Sequence, residues 1–343
     1  MALRGDEIAE AARLIRSGET VVFPTETVYG LGADALNPDA VALIFQVKGR
    51  PADNPLIVHL ADVDGLDLVA GEPDIVAHHL LSAFAPGPLT VVLPAGPELP
   101  RIVTAGLDTV AVRIPRHPVA HELLVQSGCP VAAPSANRSG EPSPTTLAMA
   151  RRSLGDRPAA YLDGGPCDVG LESTVVLVRD RTVTILRPGA VSAADIRREL
   201  TDVEVRTAGD MTTEAAASPG TRHRHYQPNA EVILFENLDQ LDRWLVADAG
   251  GEVGVICSRA TVNALEDRAA QTGRPEKSQL AGHHLRVYDD VDEYARWLYA
   301  WLHEFDDIGV STVVAQYPDA GGIGDALRDR LERSSGRRFI DRL

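Results

Sequence analysis

The amino-acid sequence predicts an α/β protein of two domains. The chain has 343 residues, more than one typical domain. Apolar residues make up 44% and charged residues 24%, enough to build packed cores. Strand-like and helix-like segments follow one another throughout, but their order changes near residue 203. Before it, several strands succeed one another directly, which implies a mixed twisted sheet with helices on its faces. After residue 230 strand and helix alternate, which implies a small Rossmann-like parallel sheet. The expected division is 1–203, a linker over 204–230, and 231–343.

From the N-terminus, a helix is predicted over 5–17, stopped by Gly18. Val21, Val22 and Phe23 read as a buried strand broken by Pro24. Pro38 opens a helix over 38–47. Strands are expected over 55–61, 89–95 and 110–116. Helices are expected over 73–84, in "HPVAHELLVQSG" and in "TTLAMARRSLG". "PVAAPSAN" is a strand running into a loop, and "AAYLDGG" is a strand end. "STVVLVRDRTVTILRPG" reads as a strand hairpin, and "SAADIRREL" as a capped helix. Beyond the linker, strands are predicted over 231–236, 252–258, "HHLRVYD" and 311–318. Helices fall over 237–247, 259–271, 290–305 and "GDALRDRLERSSG". "GGIG" at 321–324 precedes that last helix. It lacks the full dinucleotide fingerprint and is read as a tight turn.

Composition narrows the function. The formal net charge is −16, against direct tight binding of nucleic acid. No apolar run approaches the roughly 18 residues of a membrane span. The first residues lack a signal-peptide layout, so a cytosolic protein is expected. The three cysteines (Cys129, Cys167, Cys257) form no metal or disulfide pattern and read as plain buried residues. No Walker A loop, GxSxG elbow or HExxH motif is present.

Four polar clusters remain within residues 1–200. The first is Thr25, Glu26, Thr27 and Tyr29, with Gly30 and Gly32 expected to let backbone approach a ligand. Alone, it also reads as a strand-to-turn segment with capping threonines. The second is Lys48 and Arg50 in "KGRPADNPL", where Pro51 and Pro55 stiffen the loop. Lysine meets phosphate as a point charge and arginine bidentately. His59 lies just beyond, on the next strand. The third is Arg113, whose apolar strand neighbours demand a partner: a ligand carboxylate or an internal one. The fourth gathers Ser135, Asn137, Ser139, Ser143, Ser173, Thr174 and Arg187. Together they offer Lys48, Arg50 and Arg187 as cations, with small polar groups and no evident catalytic base. That set suits a nucleoside triphosphate.

"FPTETVYGLG", "KGRPADNPL", "VAVRIP", "APSANRSG", "ESTVV" and "LRPG" resemble, in this order, the YrdC-type domain across residues 1–200. "SPGTRHRHYQPNA" followed by a Rossmann-like pattern resembles the two-domain form of the threonylcarbamoyl-AMP synthase family. The resemblance implies synthesis of threonylcarbamoyl-adenylate and pyrophosphate from L-threonine, bicarbonate and ATP, a nucleotidyl transfer with Mg²⁺. A separate transferase complex would carry the group to tRNA. It implies that Thr25, His59, Arg113 and Ser173 contact threonine. Lys48, Arg50, Thr109, Ser135, Asn137, Ser143 and Arg187 would contact ATP, with Lys48 and Arg50 central to the chemistry. Tyr226 of the linker would reach back over the site as part of a lid. Thr221, His223 and Gln227 depart from the family's usual linker residues.

Two other readings stay open. YrdC-type domains also occur in proteins linked to RNA or ribosome maturation, which would make this chain a binding module. A related domain sits in hydrogenase-maturation carbamoyltransferases. Those are longer and carry zinc-finger cysteines that have no counterpart here.

Overall fold

The computed structural model describes residues 5–207, 226–247, 253–272, 280 and 282–342. They divide into two compact units. The first is drawn from residues 1–139 and 143–223, the second from 140–142 and 224–343.

In the first unit, α1 (Gly5–Arg16) buries Ile8, Ala11, Ala12 and Ile15, one stripe at helical spacing. β1 (Val21–Phe23) pairs antiparallel with β2 (Gly30–Asp34). α2 (Pro38–Lys48) starts where the Asn37 side chain accepts from the Asp39 and Ala40 amides. It stops at Gly49, which takes the left-handed conformation. β3 (Ile57–His59), α3 (Ile75–Phe84), β4 (Leu89–Pro94) and β5 (Thr109–Arg113) follow. Then come α4 (Pro118–Ser127), β6 (Val131–Ala132), α5 (Leu147–Leu154) and β7 (Ala160–Tyr161). The hairpin of β8 (Thr174–Arg179) and β9 (Thr182–Arg187) leads into α6 (Ala193–Glu199), closed by a Ser192–Asp195 capping box. β10 (Glu204–Thr207) completes the unit.

These ten strands form one mixed sheet, ordered β10-β9-β8-β4-β5-β3-β6-β2-β1-β7. Two strands depart from the sequence expectation. β10 lies in the stretch assigned to the linker, yet pairs parallel with β9 from Glu204↔Thr182 to Thr207↔Ile185. β2 falls where the sequence reading names no strand, only glycines that allow a close approach or a strand-to-turn segment. Its glycines make room for protein: a Cβ on Gly32 would stand 2.7 Å from both the Phe23 ring and Val131 Cγ1.

Side-chain alternation sorts the sheet into two faces. Val58, Val91, Val112, Val176 and Ile185 join the large core under α2 and α3. Ile57, Val92, Ala111, Val175, Leu177 and Leu186 form a small cluster on the other face. His59, Arg113 and Thr90 share the parity of that small cluster, so the sheet presents them on one side. A separate core packs α1 and α4 through Ile15, Phe23, Leu123 and Val131.

The second unit alternates as expected. β11 (Glu231–Phe235), α7 (Leu238–Ala247), β12 (Val253–Ser258), α8 (Arg259–Thr272), β13 (His284–Tyr288), α9 (Val291–Ile308), β14 (Thr312–Gln316) and α10 (Gly324–Ser335) follow in turn. The sheet is parallel, ordered β11-β14-β12-β13. The Gly321–Gly324 segment is a tight turn. The Gly324 amide donates to the Gly321 carbonyl at 3.0 Å, and the Gly321 amide to Asp325 Oδ1 at 2.8 Å. The Asp325 carboxylate thus already occupies the start of α10, where an anion would otherwise sit. Among the described residues, no helix is long and apolar enough to cross a membrane.

Candidate active site

The end of α2 and the loop after β6 meet through Lys48. It is almost fully buried, and its Nζ donates to the carbonyls of Ser135 and Asn137, each at 2.5 Å. Those carbonyls hold the ammonium in one place, and the Ser139 amide returns a bond to the Lys48 carbonyl at 2.9 Å. Ser135 Oγ donates to Asn137 Oδ1, so the serine, the asparagine and the lysine form one group. Arg50 closes its own loop. Its Nη2 donates to the Pro55 carbonyl at 3.0 Å and its Nε to that of Asn54 at 3.4 Å. The two cations of "KGRPADNPL" are therefore fixed by backbone carbonyls as well as by proline.

Sheet register puts His59 beside Arg113 on the adjacent parallel strands β3 and β5. Arg113 is 4% exposed and its Nη2 stands 2.8 Å from Glu26 Oε1. An internal carboxylate therefore faces this guanidinium, that of Glu26. Nη1 donates to Thr27 Oγ1 at 2.8 Å and Nε to the Gly87 carbonyl at 3.2 Å. Burial pulls the Glu26 carboxyl upward, but the Arg113 guanidinium and the backbone amides outweigh it and hold the group below the usual range. His59 goes down to about 3, first because it is buried and next because Arg113 repels its proton. It is neutral, and its Nδ1 has no hydrogen-bond partner among the described residues. Thr25 caps the local turn: Oγ1 donates to the Val28 carbonyl at 2.7 Å and accepts from the Thr27 and Val28 amides.

The third group surrounds the start of β8. Arg187 donates through Nε and Nη2 to the Ser173 carbonyl, at 3.1 and 3.0 Å, and through Nη2 to Ser173 Oγ at 3.1 Å. Ser173 Oγ also pairs with Thr90 Oγ1 at 2.7 Å. Ser143 Oγ donates to Glu172 Oε1 at 2.5 Å, with both residues buried. Gly189 lets this corner close, because a Cβ there would stand 2.7 Å from the Glu172 carbonyl oxygen. Thr174 then clamps Val191 through both its amide and its carbonyl.

One expected residue stands apart from these groups. Thr109 begins β5, four residues from Arg113 along the strand, about 13 Å at the usual rise. Tyr226 belongs to the second unit, where its ring stacks on Tyr299 at 5.5 Å and lies 5.3 Å from the Arg330 guanidinium carbon. Thr221 and His223 lie outside the described residues. Thr90 and Glu172 emerge as partners that sequence reasoning did not single out, while Glu26 and Thr27 of the first polar cluster gain Arg113 as their partner. Glu26 and Glu172 did carry a signal: each is a carboxylate inside a short motif of otherwise small or apolar residues.

Thiol chemistry has no support, since burial pushes Cys129 and Cys257 up to about 12 and Cys167 higher still. Among the described residues, no three His, Cys, Asp or Glu side chains group to hold a metal.

Fold and site together define a two-domain α/β protein with backbone-tethered cations gathered on a mixed sheet. The chain belongs to the threonylcarbamoyl-AMP synthase family. A family model described as "Telomere recombination" matches residues 13–189, and one described as "Threonylcarbamoyl-AMP synthase, C-terminal domain" matches residues 191–336. The threonylcarbamoyl-AMP synthase of Bacillus subtilis is 40% identical over 341 residues, covering 97% of this chain and 94% of that protein. That of Pyrococcus abyssi is 40% identical over 342 residues, covering 97% and 95%. A crystal structure of the P. abyssi protein with L-threonine superposes with a TM-score of 0.87 at 38% identity, over 99% of this chain and 97% of that one.

Proposed function

We propose that this protein makes threonylcarbamoyl-AMP and pyrophosphate from L-threonine, bicarbonate or CO₂, and ATP, as a nucleotidyltransferase. The product would pass to a transferase complex that modifies tRNA. The full-length likeness to synthases, one of them solved with L-threonine, carries the reading. Within the site, the supporting observation is Lys48, whose ammonium is held by the Ser135 and Asn137 carbonyls.

The chemistry asks little of the protein's own bases. The threonine amine adds to CO₂, an N–C bond forms, and a proton leaves to give a carbamate. A carbamate oxygen attacks the α-phosphorus of ATP, and the bond from that phosphorus to the bridging oxygen breaks to release pyrophosphate. Lys48, Arg50 and Arg187 offset the phosphate charge, which is electrostatic preorganisation. Ser135, Asn137, Ser143 and Thr109 orient the nucleotide. Thr25, His59, Arg113 and Ser173 hold threonine, and the orphaned Nδ1 of His59 is a buried polar atom that a ligand would satisfy. Glu26 keeps Arg113 from becoming a lone buried cation. Tyr226 is the linker residue assigned to ATP. Mg²⁺ enters on the ATP phosphates as part of the substrate.

The test is pyrophosphate release from ATP and Mg²⁺, with and without L-threonine and bicarbonate. Release that needs both co-substrates supports the reading. No release under any condition, with no ATP binding, leaves a binding module as the better account.

A further inference from the structure

Tyr29 belongs to the first polar cluster, yet the proposed function gives it no part. It is fully buried, 0% exposed. Its backbone faces the stretch that carries Ser135, Asn137 and Ser143. The Tyr29 amide donates to the Pro144 carbonyl at 2.8 Å, and the Tyr29 carbonyl accepts from the Ala136 amide at 2.8 Å. One residue thus ties both arms of that stretch, one beside Ser135 and Asn137, the other beside Ser143.

The two arms are held differently. The first also has Lys48, through the Ser135 and Asn137 carbonyls and the Ser139 amide. The second has the Tyr29 side chain. Its hydroxyl donates to the Gly165 carbonyl at 2.7 Å, lies 3.2 Å from Asp163 Oδ1 and accepts from the Gly164 amide at 3.2 Å. Burial pushes the phenol above its ordinary range, so it keeps its proton. Asp163 Oδ1 also accepts from the Gly165 amide at 3.0 Å, and Gly165 takes a φ of +79°, so the turn closes round the phenol oxygen. Two residues on, the Cys167 amide donates to the Thr145 carbonyl at 2.9 Å. The path from the phenol through Gly165, Cys167, Thr145 and Pro144 therefore returns to the Tyr29 amide. It is a closed ring, and the bond from the phenol to Gly165 is its one hydrogen bond made by a side chain.

We propose that Tyr29 is a positioning residue for the nucleotide, its hydroxyl anchoring the arm that carries Ser143. The proposal rests on the function proposed above. Tyr29 acts through the Pro144 carbonyl rather than by touching ATP. Thr25, assigned to threonine, is held by its own turn and does not depend on the phenol.

The experiment pairs calorimetric binding of ATP and of L-threonine with amide hydrogen exchange, all on the full chain. Tyr29→Phe removes the oxygen and keeps the ring. ATP should bind about three- to tenfold more weakly, the worth of one hydrogen bond, with L-threonine within about twofold. Exchange at the amides of residue 29 and Cys167 should quicken at least about fivefold, while that of Ser139, held by Lys48, stays within about twofold. Asp163→Ala opens the turn from its other side and should act in the same direction. Adding it to Tyr29→Phe should weaken ATP no more than about twofold beyond the worse single variant, because both break one ring. A core residue without a positioning role would weaken both ligands alike and quicken exchange in both arms.

Equal loss of ATP and L-threonine binding would overturn the proposal, and so would equal exchange in the two arms. If the wild type binds ATP and releases pyrophosphate while Tyr29→Phe binds ATP within about twofold, the proposed function stands and this inference fails. A wild type that binds no ATP takes both down. Asp163→Ala, read by the same probes, decides the question if Tyr29→Phe folds poorly.

Discussion

Glu26→Gln tests the charge balance of the site without changing its shape. Glu26 and Arg113 face each other at 2.8 Å, and both side chains are under 5% exposed. At an effective dielectric of about 20, that separation corresponds to a bare attraction of about 6 kcal/mol. Desolvation of both ions takes back much of it. Removing one partner nevertheless leaves the other charged and buried, which costs about 3–5 kcal/mol. Glutamine retains the volume and can still accept from the Arg116 amide, a 3.2 Å bond in the wild type. Arg113 also keeps Thr27 and the Gly87 carbonyl. The lower end is therefore expected, about 3 kcal/mol, or a melting point lower by roughly 6–12 °C for a unit of this size. Scanning calorimetry on the full chain gives the melting point. Hydrogen exchange at the β5 amides assigns the change to the first unit, since two units need not melt as one.

Acid supplies the second half of that test. The folded-state value of Glu26 lies below its unfolded one. Its stabilisation is complete above the unfolded value of about 4.3 and is lost as pH falls through the folded value. Wild type and Glu26→Gln should differ most at neutral pH and converge on acidification below about 4. Melting points within about 1 °C at pH 7, or a gap that does not narrow in acid, would refute Glu26 as the counter-charge of Arg113.

Further predictions concern the other groups. Lys48→Met should lower kcat/KM for pyrophosphate release at least about a hundredfold. A change under about threefold would remove Lys48 from the phosphates. His59 should show no imidazole titration by NMR between about pH 5 and 8, its folded value being about 3. The stability contributed by its neutral form is complete above the unfolded value near 6.5 and declines as pH falls from there towards the folded one. A midpoint near 6.5 would contradict its burial. Arg187→Lys should raise KM for ATP several-fold, because lysine cannot reproduce the planar fork on the Ser173 carbonyl. An unchanged KM with unchanged stability would mean the fork is dispensable. Gly189→Ala should cost about 2–3 kcal/mol in urea unfolding, since its Cβ would meet backbone rather than a side chain that could swing away. A cost below about 0.5 kcal/mol would show that the corner is loose.

Helix ends were the most legible part of the fold. Pro38 as a helix start, and Gly18 and Gly128 as stops, act locally, the glycines through positive φ. The β8–β9 hairpin was legible from its run of β-branched residues. β2 was not, because Gly30 and Gly32 remove the usual strand signal and their purpose is the Phe23 ring. β10 was not, because only Val205 of its four residues is buried and its existence depends on β9.

The candidate site divides in the same way. Its cations could be read, since lysine and arginine in apolar surroundings are conspicuous. Their partners could not. Lys48 meets a carbonyl 89 residues away, Arg113 meets Thr27 across 86 residues, and Thr90 meets Ser173 across 83. Sheet order sets those meetings, and no local pattern encodes it.

Glu172, Ser173 and Thr174 are consecutive, yet they brace Ser143, Thr90 with Arg187, and Val191 respectively. Substitutions at those partners are therefore coupled through one stretch of chain. A loss at Ser143 and a loss at Arg187 should combine to less or more than their sum, because either can shift the segment that supports the other. Single substitutions here measure the health of a shared support as much as the worth of a contact. A double-mutant cycle between Ser143 and Arg187 is the natural unit of measurement for this corner, and a non-zero coupling there is the mark of the shared segment.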